Sequence, residues 1–154
     1  MSDPFEAMWK TEPFDAYAPV DRERLRAIAS VHEYEDGEVV YESGSASSGA
    51  YVLLDGCVAL SDPHGATVRS RGPTSIATGG TMFSRGSLLG EFDHRHRCVA
   101  QGPATVLHVP RDAFRSDFAD GRMYALLLLD FVVREASREV RDVNAAIHSI
   151  LSER

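Results

Sequence analysis

Two dipeptides, Asp36-Gly37 and Asp55-Gly56, punctuate the first half of this chain, and each precedes a short run of β-branched or apolar residues. Glycine tolerates the positive φ of tight turns, so the pattern is typical of short antiparallel strands joined by turns. Several such strands at close spacing predict a sandwich, roll or barrel. We expect the strands to occupy about residues 38–109, with loop material and a weak hairpin within residues 61–80.

Helical patterns precede the strands. Phe5, Met8 and Trp9 have the spacing of one helical turn with an apolar face, which we expect to dock on the chain's own domain. Asp21 is suited to cap a second helix that begins at Arg22. The residues expected on the buried side of that helix are Leu25, Ile28 and Ala29.

A long amphipathic helix is predicted at the C-terminal end. A short helix over residues 112–118 closes at Asp120-Gly121, because glycine readily takes the left-handed conformation that ends a helix. Beyond Leu126, apolar residues recur in alternating steps of three and four, which is a heptad pattern. We expect the first turns to pack on the chain's own strands and the rest to form a parallel coiled-coil homodimer. The predicted dimerisation residues are Val133, Ala136, Val140, Val143, Ile147 and Ile150.

Composition limits the partners and the compartment. The 154 residues are 44% hydrophobic, which suits one core, and the net charge of −7 argues against direct nucleic-acid binding. No helix-turn-helix follows the long helix, so we expect output through an unidentified effector protein. The longest apolar run, residues 124–129, is too short to span a bilayer, which indicates a cytoplasmic protein without a membrane partner. Cys57 and Cys98 lie in predicted strands and are expected to be small buried residues.

Residues 34–60 together with the Gly86-Ser87-Leu88-Leu89-Gly90-Glu91 stretch resemble the β-roll of the cyclic nucleotide-binding domain family. The resemblance covers roughly residues 14–150. It implies an α+β fold, an antiparallel β-roll of jelly-roll or cupin-like type with N-terminal helices and a long C-terminal dimerisation helix. The chain then divides into an N-terminal docking segment, the β-roll domain and the C-terminal helix. Their expected ranges are 1–19, 20–121 and 122–154.

The resemblance also implies a ligand site. In ligand-binding members of the family, a Gly-Glu pair opens a short helix whose N–H groups face the cyclic phosphate. The glutamate accepts from the ribose hydroxyl, and a later arginine pairs with the phosphate. An anion suits a helix N-terminus, and the guanidinium fork suits phosphate oxygens. The implied ligand-binding residues are Gly90, Glu91 and Phe92, with Arg95 or Arg97 as the phosphate partner.

The phosphate-binding cassette is shortened in this chain. If residues 100–107 align with the strand pair after the site, Gly90 lies several residues too close to that pair, and the family arginine falls near His94 or Arg95. The helix that presents the N–H groups is then missing. We therefore expect cAMP and cGMP to bind weakly or not at all, and no other cofactor.

Two regulatory functions remain open. In the first, the domain senses a cyclic nucleotide or another small anion in a remodelled pocket and signals through the dimerising helix. In the second, the pocket is empty or filled by Phe92 or Met82, and the domain is a dimerisation or docking module. Because a buried arginine without an anion is costly, the second function predicts that Glu91 pairs with Arg95 or Arg97, or that these arginines point to solvent.

A third function is a cupin-like metal-dependent enzyme. His94 and His96 would lie on one face of a strand as metal ligands. The usual downstream glutamate is missing, and flanking arginines would repel a cation. We therefore expect the two histidines to be solvated loop residues, with no bound metal and no catalytic residues.

Overall fold

The structure is a computed structural model that describes residues 3–62 and 74–152. Two long strands form its centre. They are β3 and β6, which pair antiparallel from Gly49 opposite Pro110 to Ser61 opposite Arg97. Across the sheet the order is β1, β6, β3 and β4, while β2 also pairs with β6 and β5 with β3, all antiparallel. The strands are β1 (Ser30–Tyr34), β2 (Val39–Tyr41), β3 (Gly49–Ser61), β4 (Thr74–Ile76), β5 (Met82–Phe83) and β6 (Arg97–Pro110). The predicted antiparallel β-roll is confirmed.

The two Asp-Gly dipeptides play different parts. Asp36-Gly37 forms the predicted turn between β1 and β2. Gly56 instead lies inside β3 with φ +87°, at a register shift against β6, where an added Cβ would lie 2.2 Å from the carbonyl oxygen of Pro103. The prediction of a turn at Asp55-Gly56 is therefore wrong, because the positive φ makes a bulge that bends one continuous strand.

The region in which a weak hairpin was predicted, residues 61–80, contains the short strand β4. β4 pairs with β3 through Thr74 to Ile76, opposite Leu60 to Val58. The intervening residues 63–73 lie outside the described part of the chain.

The helices flank the sheet on both sides of the sequence. Their bounds are α1 (Glu6–Trp9), α2 (Pro19–Ile28), α3 (Arg111–Ala119) and α4 (Met123–Ser152), with 3₁₀ turns at Phe14–Ala16 and Arg85–Leu88. The start predicted for α2 is wrong, because proline suits the first position and Ala18 is the N-cap. Asp21 lies inside the helix, and its carboxylate accepts the Ala18 N–H at 3.1 Å. Leu25 is fully buried, as predicted.

One core cluster joins the N-terminal segment to the sheet, α3 and α4. The N-terminal aromatic and methionine side chains are buried in it, which confirms that this segment docks on its own domain. Those residues are Phe5, Met8, Trp9, Phe14 and Tyr17. A second cluster includes Tyr41, Phe83 and Cys98. Cys98 is buried as predicted, whereas Cys57 is only half-buried.

The long helix α4 changes character along its length. Tyr124, Ala125, Leu128 and Val132 are buried against the core, which confirms the predicted intramolecular packing of the first turns. From Val133 onward every residue of the apolar seam is exposed. Among the described residues, no helix is both long enough and apolar enough to cross a membrane.

Candidate functional site

A cavity of about 400 Å³ opens beside the end of β2, where the implied ligand site was expected. Its walls come from two stretches, residues 84–87 and 92–96, together with two sheet residues. The lining residues are Tyr41, Leu60, Ser84, Gly86, Ser87, Phe92, Asp93, His94, Arg95 and His96. The cavity therefore combines aromatic and apolar surface with hydroxyl, imidazole, carboxylate and guanidinium groups.

Residues 84–92, which we call the wall segment, form one side of this cavity. The segment begins at Ser84, a non-glycine residue with φ 55°, and continues as the 3₁₀ turn Arg85–Leu88. The Ser84 hydroxyl lies 2.9 Å from the Ser87 hydroxyl. No helix follows Gly90 before β6 begins, within a stretch that is fully described. The helix that would present N–H groups to a cyclic phosphate is thus missing, as the shortened cassette predicts.

The structure separates the residues that the resemblance implied for ligand binding. Phe92 and Arg95 line the cavity, whereas Gly90, Glu91 and Arg97 do not. The Arg97 Nε lies 3.1 Å from both carboxylate oxygens of Glu42, outside the cavity. Glu91 is exposed and makes no ion pair with any described residue. The ribose and phosphate contacts of the family therefore do not come together around this cavity.

His94 is a buried wall of the cavity, and the prediction of a solvated loop residue is wrong. Its side chain is 6% exposed, and its ring stacks on Tyr41 with centroids 3.7 Å apart. The main chain holds it there, because its N–H donates to the Ser45 carbonyl at 2.8 Å and its carbonyl accepts from the Gly44 N–H at 2.7 Å. Burial lowers the pKa of His94, so its ring is held neutral.

The two histidines of the His-x-His motif lie in different environments. His96 is exposed, as predicted, while His94 is buried. The chain bends at residues 95–96, so the alternation of an extended strand does not operate there. Among the described residues, no three His, Cys, Asp or Glu side chains are placed to hold one metal ion.

Arg111 was not anticipated from the sequence, yet it fixes the wall segment. It is 8% exposed, and its Nη1 donates to the carbonyls of Ser47 at 3.2 Å, Ser87 at 3.2 Å and Gly90 at 3.1 Å. Arg115, one turn later on α3, donates to the Leu89 carbonyl at 3.3 Å. A cation at the first position of a helix opposes the helix dipole, and this was the one available signal that Arg111 has another partner.

Arg85 connects the wall segment to α4. Its Nη1 lies 3.4 Å from Glu135 Oε2, and its Nη2 forms an ion pair with Glu139. Arg138 also pairs with Glu135, at 3.2 Å. The wall segment is therefore held from α3 through its carbonyls and from α4 through its arginine.

Most arginines around the cavity already have protein partners. Those are Arg85, Arg97, Arg111 and Arg115. Arg95 lines the cavity, is exposed, and its guanidinium has no hydrogen-bond or ion-pair partner among the described residues. Among the described arginines that line or border the cavity, Arg95 is thus the one whose guanidinium has no protein partner.

The exposed seam of α4 continues onto the wall segment. Val133 is 47%, Val140 59% and Ile147 49% exposed. Leu89, itself 40% exposed, adjoins this seam across a shallow groove of about 440 Å³. The groove is lined by Leu89, Val133, Ala136, Ser137, Val140 and Arg141.

Comparisons with known proteins agree with this architecture. Residues 31–120 match the cyclic nucleotide-binding domain family. A search of curated protein sequences finds no match to the chain.

Solved structures share the fold at low sequence identity. The N-terminal domain of a transcriptional regulator from Streptomyces coelicolor A3(2) aligns with a TM-score of 0.66 and 18% identity, covering 92% of this chain and 95% of that one. The catabolite activator protein of Thermus thermophilus aligns with a TM-score of 0.69 and 18% identity, over 86% of this chain and 62% of that one. The regulatory domain of Toxoplasma gondii PKA, crystallised with cAMP, gives 0.65 and 15%, over 84% and 47%.

Proposed function

Because the chain belongs to the cyclic nucleotide-binding domain family, which matches more than half of its length, we propose that it is a non-enzymatic regulatory domain for a small organic anion. The anion binds in the cavity beside the wall segment. Its binding is signalled through α4, which pairs with α4 of a second copy. The effector that receives the signal is a protein, since the net charge of −7 disfavours a direct nucleic-acid partner.

The unpaired guanidinium of Arg95 in the cavity lining supports this function most directly. The Arg95 guanidinium lines a partly apolar cavity and forms no ion pair with a described carboxylate, although Asp93 also lines the cavity. Such a guanidinium suits a carboxylate, sulfonate or phosphate oxygen pair. Tyr41, Leu60 and Phe92 supply the apolar surface for the rest of the ligand. The Ser84 and Ser87 hydroxyls offer neutral hydrogen bonds. A planar organic monoanion fits this combination.

Cyclic nucleotides fit the site poorly. Glu91 is exposed, Arg97 is occupied by Glu42, and no helix follows Gly90 in the described stretch before β6. Each hydrogen bond lost to a charged group is worth about 1.5–3 kcal/mol, so losing two weakens binding by roughly two to four powers of ten. Isothermal titration with cAMP and cGMP tests this. A micromolar or tighter constant that is lost in Glu91→Ala would contradict it.

The cavity is tested with anilinonaphthalene sulfonate, an aromatic monoanion, followed by the amide chemical shifts of residues 84–96. Counting only the shifts of residues 92–96, which line the cavity and not the groove that contains Leu89, separates binding in the cavity from binding on the α4 seam. Arg95→Ala should weaken the affinity about tenfold or more, the loss of one charge-assisted contact. Arg122→Ala is the matched control, because it removes an exposed arginine that forms an ion pair with Asp117. A larger loss in Arg97→Ala than in Arg95→Ala, or no shifts at all, would overturn the assignment.

A second candidate is a docking module without a ligand. The position of His94 favours it, since this buried ring stands near where the family arginine aligns and is stacked on Tyr41. Arg95 is exposed, which is one of the arrangements expected for that function, whereas Arg97 pairs with Glu42 instead of Glu91. The absence of amide shifts at residues 84–96 with any anion, together with a dimer in solution, would favour this candidate.

A further inference from the structure

The wall segment contacts the cavity and α4 at the same time. Ser84, Gly86 and Ser87 line the cavity, and Arg85, between them in sequence, reaches to Glu135 and Glu139. Ser84 holds a left-handed backbone conformation that non-glycine residues adopt at a cost. A change in the backbone at Ser84 would therefore move Arg85 directly.

The ion pairs of Arg85 belong to a half-buried network. The side chain of Arg85 is 28% exposed and that of Glu135 is 21% exposed, while Glu139 is 64% exposed. Arg138 pairs with Glu135 from the outer side. Isolated surface ion pairs contribute little, but networks that are partly shielded from water are stronger.

Glu139 lies next to the proposed dimer seam. With Val133 and Val140 at heptad position a, Glu139 occupies position g, where charges normally pair with position e of the partner helix. In a parallel dimer the facing e position is Asn144, which carries no charge. Arg85 thus supplies, from the cavity wall of the same chain, the positive charge that the partner helix lacks.

We propose that Arg85 is a positioning residue that makes the cavity wall and the dimer seam of α4 depend on each other. Ordering of α4 in a dimer holds Glu135 and Glu139 in place for Arg85, which holds the wall segment in its binding conformation. By linkage, a ligand that stabilises the wall segment strengthens dimerisation by the same factor. This inference rests on the proposed function.

The first test needs no ligand. Hydrogen exchange of the amides of residues 84–91 is measured in the wild type, in Arg85→Ala, in the double variant Glu135→Gln/Glu139→Gln, and in all three changes combined. We expect exchange about fivefold faster in each, with no further increase in the combination, because the residues act as one unit. Arg134→Ala is the matched control, since this α4 arginine pairs with Glu12 and Asp130, away from the wall segment. Unchanged exchange in Arg85→Ala, or fully additive effects, would overturn the proposal.

The second test measures the coupling. Sedimentation gives the dimer dissociation constant with and without saturating anilinonaphthalene sulfonate, and the probe should strengthen dimerisation about fivefold in the wild type but not in Arg85→Ala. Arg85→Lys, which keeps one charge, should restore part of the effect. An equal shift in Arg85→Ala would contradict the role of Arg85. If the probe does not bind the wild type, the proposed function fails, and the exchange experiment still decides whether Arg85 positions the wall segment.

Discussion

His94 lies between the core and the cavity, and its protonation is linked to folding. Its ring stacks on Tyr41 and lies 6.3 Å from the Tyr51 ring, which in turn lies 5.0 Å from His108. Burial lowers the pKa of both histidines, and for His108 the nearby His32 and His94 lower it further. Asp93 opposes the shift at His94. Both imidazoles are therefore neutral in the folded protein at neutral pH.

Stability is expected to fall on mild acidification. The unfolded chain takes up protons near the ordinary histidine pKa of about 6.5, whereas the folded chain does so only at lower pH. The contribution that the two neutral histidines make to the free energy of unfolding is thus complete above about pH 7, and it is lost as the pH falls below about 6.5. Urea unfolding at neutral pH and at mildly acidic pH measures the loss. The variant His94→Gln/His108→Gln should show a flatter dependence in this range, and an unchanged dependence would contradict the prediction.

The carboxylates of Asp3 and Asp117 provide an internal comparison. Hydrogen bonds from the Phe5 N–H and from Arg24, respectively, lower their pKa, so their contribution is lost only as the pH falls below the ordinary aspartate range. Their effect therefore lies at lower pH than that of the histidines.

Arg111 is expected to be the arginine with the largest effect on stability. Arg111→Met removes a buried charged donor from three carbonyls, which should lower the free energy of unfolding by about 2–4 kcal/mol. Urea denaturation measures the change. Arg115→Met, which removes one contact from an exposed side chain, should cost less than about 1 kcal/mol. Equal effects of the two variants would show that the three carbonyls do not depend on Arg111.

At the scale of elements, β3 shows how one glycine changes the meaning of a sequence pattern. The Asp-Gly dipeptides at 36–37 and 55–56 look alike, and both glycines have positive φ. A Cβ added at Gly37 would meet open space, whereas a Cβ added at Gly56 would meet the backbone of β6. The partner strand, where Ala104 lies opposite Gly56, is distant in sequence and decides between a turn and a bulge.

This difference predicts unequal costs for the same substitution. Gly37→Ala should lower the free energy of unfolding by about 1 kcal/mol, the cost of a left-handed alanine. Gly56→Ala adds a Cβ that would lie 2.2 Å from the Pro103 carbonyl oxygen, so it should cost about 3 kcal/mol or more. Thermal or urea unfolding of the two variants measures both. Similar losses would mean that β3 and β6 separate at the bulge at little cost.

At the scale of the whole molecule, we expect α4 to determine the oligomeric state. Val140→Asp places a charge in the exposed seam, where desolvation on pairing is expensive, so we expect it to abolish a homodimer. Light scattering at micromolar concentration measures the mass. Ala145→Asp adds the same charge at heptad position f, away from the seam, and should leave the dimer intact. A monomeric wild type, or a fully dimeric Val140→Asp, would contradict the dimer.

Patterns local in sequence determined much of this protein. Turn glycines and short apolar runs predicted antiparallel strands in a sandwich, roll or barrel, among which the family resemblance favoured the β-roll. Steps of three and four predicted α4 and its seam. The distance from Gly90 to the next strands, compared with the spacing in the resembled family, predicted that the phosphate-facing helix is missing. These features depend on backbone periods and on neighbouring residues, which a sequence displays directly.

Only the tertiary structure decided which side chains meet. Arg97 and Arg95 look equivalent in sequence, yet Arg97 pairs with Glu42 while Arg95 faces the cavity. His94 is buried because its main chain bonds to residues 44–45, and Arg111 and Arg85 have partners more than twenty residues distant in sequence. Such contacts depend on how separate elements pack, and packing leaves no period or spacing that a single sequence displays.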